Sequence, residues 1–356
     1  MPQSSTEPTS HRVETVDQLR GLAALSVCWY HFTQGGAHFQ SFLPDGWVKE
    51  SGRLGYLGVD VFFVISGFIL PWAMDRAGYR LRHYPKFLAK RILRLDPPYL
   101  VTLGLLIGLA LLVWAHHAFQ PDKLSLSVPQ VALHLGYLNA FFGYEWLSPI
   151  FWSLAIEFQY YLLLGLVFPL LVHPRQFARL STLSILGAFA FIFPKSAFIF
   201  HFMFLFLLGI SAFYLKTGKV GAKTFAGLLI LIGLGCAWTL KPSIAAVGVV
   251  TAMAIAFVNL KISPLRFLGK ISYSFYLLHG IVGGIIVAGA MRWIDRPANR
   301  MALLPVMLGL ALLASFALYR WVELPAQRWA SAIRYSPGEK ETKPQETPES
   351  VREMAA

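Results

Sequence analysis

Residues 17–31 read DQLRGLAALSVCWYH, an apolar helix-like run that begins just after Arg20 and ends on a histidine eleven positions further on. A helix rises about 1.5 Å per residue, so His31 lies roughly 16 Å beyond Arg20 along the axis. If this helix spans a bilayer with Arg20 at one face, His31 sits near mid-depth. A titratable group is expensive there, and such groups usually mark function. The reading of this stretch as a span or as soluble core depends on what the rest of the chain does.

The rest of the chain points to a membrane. The 356 residues are 56% hydrophobic and 14% charged, where a soluble domain carries about 25% charged residues; mean hydropathy is +0.56. Apolar runs recur at 18–36, 54–74, 99–115, 150–171, 180–194, 197–215, 224–240, 243–260, 271–290 and 301–319. A large soluble core could explain one or two of them, but not so many. The expected fold is all-α, a polytopic integral membrane protein with about ten transmembrane helices. Lys and Arg number 31 against 18 Asp and Glu, a net charge of +13. No nucleic-acid-binding module accompanies that excess, so it reads as orientation in a membrane, with no nucleic acid as partner. Cys28 and Cys236 both lie inside apolar runs, which argues against a disulfide framework and offers no metal site. The charged, polar stretch before the first run lacks a small-residue cleavage site after it, so the run reads as a retained span.

The segment 130–143, QVALHLGYLNAFFG, is fourteen residues long and too short for an ordinary span. Charge decides how to draw it. With ten spans, this segment not crossing and the N-terminus cytoplasmic, 23 of the 31 Lys and Arg fall on the cytoplasmic side. If the segment crosses, every later loop flips and the number falls to 14. The positive-inside rule favours the first arrangement, with 130–143 re-entrant or interfacial and both termini in the cytoplasm. Three regions follow: a disordered cytoplasmic N-terminus at 1–16, a transmembrane domain at 17–330 and a disordered cytoplasmic tail at 331–356. No repeat of 20 to 50 residues is visible, which weighs against a transporter built from inverted repeats.

A few residues inside or beside the spans could carry chemistry. His31 titrates near neutrality and, as a neutral imidazole, could accept the proton of a hydroxyl; the plainer alternative is a packing histidine bonded to a neighbouring helix. Asp60 and Glu157 are acids inside spans and must be paired, protonated or facing a wet cavity. Glu157 lies in WSLAIEFQYY, where Trp152 and Ser153 share adjoining helical faces with it. Either acid could orient His31 or stabilise its charged form. In KFLAKRILR, Arg91 and Arg94 are three apart on one face of an amphipathic segment. Spaced guanidinium groups suit the phosphates of a cytosolic donor, although a basic cytoplasmic loop also serves orientation and contact with anionic lipid. Tyr276 and His279 share a face of the ninth run, where a structural network is as good a reading as catalysis. Glu323, at the inner end of the last run, is expected to pair with Arg320 or a loop arginine.

Taken together these residues resemble the membrane-bound acyltransferase 3 family, which includes O-acetyltransferases of sugars and polysaccharides. The family's arginine, ten residues, then histidine is matched by Arg20 and His31, and its glycine-aspartate-aromatic block by Gly58 to Leu70. Arg91, Arg94 and Pro97 match its R-x-x-R with a following proline. Trp152, Ser153, Leu154 and Glu157 match its tryptophan-serine-leucine and glutamate motif. LGKISYSFYLLHG matches its late serine-tyrosine-histidine block, and Glu323 to Pro325 its closing E-x-P. The matches run in order from Asp17 to Pro325. One departure is Lys90, where relatives often carry another arginine; charge is kept there but the fork geometry is not. The C-terminal serine-hydrolase-like domain of some relatives has no counterpart in this sequence.

The resemblance implies an acyl-CoA-dependent O-acyltransferase of a bacterial inner membrane, with acetyl-CoA as co-substrate and no permanently bound cofactor. In that picture the coenzyme's phosphates meet Arg91 and Arg94, with Arg20. His31 is the general base or transient acyl carrier, and Asp60, Glu157 and His279 support it. The partners implied are a sugar or lipid-linked saccharide acceptor, membrane lipids and polysaccharide assembly proteins. A transporter or flippase of a polyanionic or lipid-linked substrate is the alternative reading, as is a non-catalytic member of a polysaccharide export complex.

Overall fold

The computed structural model describes residues 14–36, 39–115, 126–259, 261–294 and 296–335. Residues 116–125, between the third run and the short segment, lie outside the described residues, as does most of the two terminal segments read as disordered. Every predicted apolar run is helical. The first run forms α1 (Glu14–Gln34). A two-residue hairpin, β1 (Gly35–Gly36) with β2 (Phe39–Gln40), and a short helix, α2 (Trp47–Ser51), lead into α3 (Gly58–Arg76). Then come α4 (Tyr84–Ala115), α5 (Val128–His134), α6 (Phe151–Leu171) and α7 (Gln176–Ile192). Next are α8 (Met203–Lys216), α9 (Ala222–Thr239), α10 (Pro242–Phe257) and α11 (Ser263–Ala290). The short α12 (Pro297–Arg300) precedes α13 (Leu303–Leu318), which passes through a π turn at Tyr319–Glu323 into α14 (Leu324–Ala332).

Among the described residues, seven helical segments are long and apolar enough to cross a membrane, and α7 and α10 are shorter apolar helices. The remaining predicted run is α1, which is long enough but opens on Glu14, Asp17 and Arg20. The fold is an all-α polytopic membrane bundle; length and apolarity mark seven candidate spans among the described residues, where about ten were expected.

Contacts give the relative directions of the helices. Gly21 packs on Leu268 of α11, Arg20 Nε donates to Ser272 Oγ (3.3 Å), and the rings of His31 and His279 are 5.2 Å apart, so α1 and α11 run parallel. Gly21 and Gly269 lie at this crossing; an added methyl at either would strike the backbone of the other helix, and small residues at such points are what bring membrane helices close. α3, α6 and α8 run together: Phe63 faces Trp152 and Phe202, Ser66 faces Glu157, and Lys219 Nζ reaches Asp75 (2.9 Å). α4 opposes them, with Tyr84 near Leu162 and Tyr99 near Phe151.

These directions bear on the short segment. α3 and α6 are parallel and α4 alone opposes them, so the chain from α4 to α6 returns to the face it left. α5 is seven residues long, about 10 Å, and does not cross. Its seat is polar: His134 is fully buried, its Nδ1–H donates to Gln130 O (2.8 Å) and its Nε2 accepts the Leu147 N–H (3.1 Å). One face of the bundle gathers Glu14 beside Arg266, Thr15 bonded to Val258 O, Asp75 bridged to Lys219, and Lys86 on Tyr335 O. Both ends of the described chain lie on this basic face.

Three local expectations change. The basic stretch before the third run is continuous with it as the single 32-residue α4, carrying Pro97 and Pro98 inside, so Arg91 and Arg94 ride on a bundle helix. His31 stands in the last turn of α1 and so lies towards the face opposite the basic one, not half-way along its own helix. α1 begins at Glu14 and α14 runs to Ala332, so helix extends into both terminal regions.

Candidate active site

Two adjoining cavities lie along the bundle. The larger, about 240 Å³, is on the side away from the basic face; His31 and Asp60 line it with Tyr30, Tyr56, Trp152 and Tyr276. The smaller, about 50 Å³, is nearer the basic face and is lined by Arg20, Ser66, Ser153, Glu157 and Ser272. Val59 and Tyr276 border both. Tyr276 is held in that wall by Ser153 Oγ (2.7 Å) and Ile150 O (3.3 Å).

The sequence candidates fall into groups around these spaces. His31 and His279 meet across the parallel pair α1 and α11, ring centroids 5.2 Å apart and planes tilted by 40°. His279 is fully buried, and its Nδ1 lies 3.1 Å from Phe275 O. A carbonyl can only accept, so that bond keeps the proton on Nδ1 and makes Nε2 an acceptor nitrogen. Asp60 is buried in the first turn of α3 and shares the larger cavity with His31. Glu157 does not line that cavity. Its Oε1 accepts from Ser66 (3.1 Å) and Tyr161 (2.6 Å) in the smaller one.

The three arginines converge from two helices. Arg20 and Arg94 repel each other, as do Arg91 and Arg94, and the charge of Glu157 reaches both Arg20 and Arg91. Arg91 stacks over Phe87 and Tyr161 at 5.3 and 5.8 Å, and its Nε is buried without a hydrogen-bond partner among the described residues. Asp17 and Glu323 also compensate Arg20. Glu323 does not pair with Arg320, which is exposed. Instead its Oε2 accepts from the Ser274 hydroxyl (2.6 Å) and backbone N–H (3.2 Å), its Oε1 from Gln327 (2.9 Å), and its charge is felt at Arg20. The π turn at Tyr319–Glu323 aims it inward. No direct ion pair joins Arg20, Arg91 or Arg94 to Glu157 or Glu323, so the three guanidinium groups keep donors suited to a phosphate.

Sequence reasoning singled out neither Ser66 nor Tyr161. Tyr161 stands four residues after Glu157 on the same helical face, which was a usable signal; Ser66 lies 91 positions from Glu157 and gave none.

Comparison with known proteins bears on this arrangement. The acyltransferase 3 family model, described as an acyltransferase domain, matches residues 13–320. BcsY of Komagataeibacter xylinus, provisionally named a membrane-bound transacylase, is 27% identical over 348 residues, covering 88% of this chain and 82% of BcsY. Acyltransferase MdmB of Streptomyces mycarofaciens is 29% identical over 380 residues, covering 90% of this chain and 93% of MdmB. O-acetyltransferase OatA of Staphylococcus aureus is 28% identical over 165 residues, 44% of this chain and 25% of OatA, so that likeness spans a quarter of the relative. No solved structure matches. With some nine-tenths of its length matched by the family model, residues 13–320, this chain belongs to the acyltransferase 3 family of membrane acyltransferases.

Proposed function

We propose that the protein is an O-acyltransferase that takes an acyl group, acetyl in the first instance, from acyl-CoA at the basic face and delivers it to a hydroxyl of a sugar. The acceptor belongs to a surface polysaccharide, a lipopolysaccharide or a lipid-linked precursor. The protein works in a bacterial inner membrane with ten crossings and the basic face, bearing both termini, in the cytoplasm. The single observation that carries this reading is the polar line through the bundle: arginines, then the Glu157 cavity, then the cavity of His31 across the shared wall at Tyr276.

In this reading Arg91, Arg94 and Arg20 hold the coenzyme's phosphates, and the thin pantetheine arm enters the smaller cavity. The acceptor enters the larger cavity from the opposite face. His31 takes the proton of its hydroxyl as the oxygen attacks the thioester carbonyl. The C–S bond then breaks, and the imidazolium returns its proton to the departing thiolate. A stepwise variant has His31 carry the acyl group first and pass it to the hydroxyl second. His279 and Asp60 orient the ring and stabilise its charge, and Glu157 sets the arginines. The names of OatA, an O-acetyltransferase, and MdmB, an acyltransferase, support transfer over transport.

Labelled acetyl-CoA, a polysaccharide acceptor and the purified protein test the reading. Wild type is expected to transfer label, and His31→Ala, with unchanged thermal unfolding in detergent, to lose about 10²–10⁴-fold of it. Full transfer by a folded His31→Ala protein overturns this role. A transporter or a non-catalytic partner leaves the thioester intact with wild type.

A further inference from the structure

We propose that the ring stack of His83 and Tyr335 at the basic face is a seat for the purine base of a nucleotide-bearing donor, held by the chain's own Tyr335 until the donor displaces it. This rests on the acyl-CoA reading for its biological ligand, since coenzyme A carries an adenine with a nearby phosphate.

The two rings are parallel to within 2°, with centroids 5.0 Å apart. Tyr79 meets the Tyr335 ring edge-on at 5.8 Å, and the Lys90 ammonium lies 5.3 Å from its centroid. Lys86 Nζ donates to Tyr335 O (3.1 Å), and the charge of Arg91 reaches the Tyr335 ring. A flat aromatic slot ringed by cations fits a base that carries phosphate, because stacking holds the base and the cations hold the anion.

The two rings are not held alike. His83 is buried, its Nδ1 accepts the Arg80 N–H (3.1 Å), and it packs on Tyr79, whose hydroxyl is anchored to Gly165 O (2.7 Å). Tyr335 stands three residues past the end of α14, and its polar tie is the exposed Lys86 contact to a carbonyl. A purine would replace the tyrosine ring for ring, and its phosphate would give Lys86 and Lys90 a charged acceptor in place of a neutral one. The slot also adjoins the donor route, for Arg91 reaches Tyr161, and Tyr161 bonds Glu157 in the smaller cavity. Lys90, the departure from the family's arginine, falls on the slot itself.

Binding of 3′,5′-adenosine bisphosphate to the full-length protein in detergent, read by calorimetry, tests this without any acyl transfer. Tyr335→Ala is expected to bind it about tenfold more tightly than wild type, and His83→Ala about tenfold more weakly. Tyr335→Phe, which keeps the flat ring, is expected to match wild type. His83→Phe keeps the stacking surface and guards against a folding defect in His83→Ala; it should bind within about threefold of wild type. Unchanged or weaker binding by Tyr335→Ala overturns the proposal, because an anchoring tail or a sandwiching lid predicts that result. If the bisphosphate behaves as expected while wild type leaves acetyl-CoA intact, the transfer reading fails and the seat stands. If transfer proceeds while Tyr335→Ala binds as wild type does, the seat fails alone.

Discussion

At Glu157 one carboxylate accepts hydrogen bonds from Ser66 and Tyr161 while its charge reaches two half-buried arginines. A glutamine there keeps the acceptor but removes the charge, leaving Arg20 with Asp17 and Glu323. Glu157→Gln is expected to lower the unfolding temperature in detergent, and added coenzyme A to stabilise it more than it stabilises wild type, because its phosphates restore negative charge. Equal shifts in both proteins would contradict the phosphate role of the arginines. Tyr161→Phe should cost about 1.5–3 kcal/mol, since Arg91 keeps its ring and only a charge-assisted hydrogen bond is lost. Arg20, His31, Glu157 and His279 were legible as single residues because titratable groups inside apolar runs stand out. Which of them meet was not legible. His31 and His279 are 248 positions apart, and Glu323 finds Ser274 across a helix pair where a local arginine was the obvious partner.

α5 shows the same limit one level up. The sequence marked 130–143 as too short to span, but neither the seven-residue length of α5 nor its anchoring on a buried histidine was legible, since the partners Gln130 and Leu147 are backbone groups that side-chain patterns do not reveal. Burial holds the His134 imidazole below its ordinary value, partly opposed by the Gln130 carbonyl, which favours the protonated ring. The free imidazole titrates near 6.5. A group whose folded value is depressed contributes stability above the unfolded value and loses it as pH falls through that value towards the folded one. Hydrogen exchange across 128–147 is therefore expected to quicken as pH drops below about 6.5, after correction for intrinsic rates, and His134→Gln should flatten that dependence. A pH-independent pattern in wild type would remove His134 from this role. The continuity of α4 was hidden for a different reason. The third run is read only from residue 99, and proline removes a helical N–H and crowds the preceding turn, yet the helix passes through Pro97 and Pro98.

For the whole molecule, the sequence argued from charge and the structure argues from direction, and the two agree on the path of the chain. Parallel α3, α6 and α8 against α4 require the chain to return to one face between α4 and α6, which is the arrangement that also puts most Lys and Arg on one side. Reporter fusions after residue 145 and after residue 175 are expected to report opposite sides of the membrane, the first outside and the second in the cytoplasm. The same side for both would overturn the path drawn through α6. The number of crossings was legible only as ten apolar runs; α1, α7 and α10 fall short of a standard span in charge or length.

The pairing of α1 with α11 also constrains how the protein is made. α1 leaves the ribosome first, yet its partner begins at Ser263 and carries Ser272 and His279. Until that late helix is inserted, Arg20 and His31 have no neighbour from it, so under the proposed mechanism the site stays incomplete through most of synthesis and closes in one late step. Gene fragments divided in the link between α8 and α9, Thr217 to Gly221, would each carry one half of the histidine pair. They would need to be synthesised together in one membrane to become a single working unit.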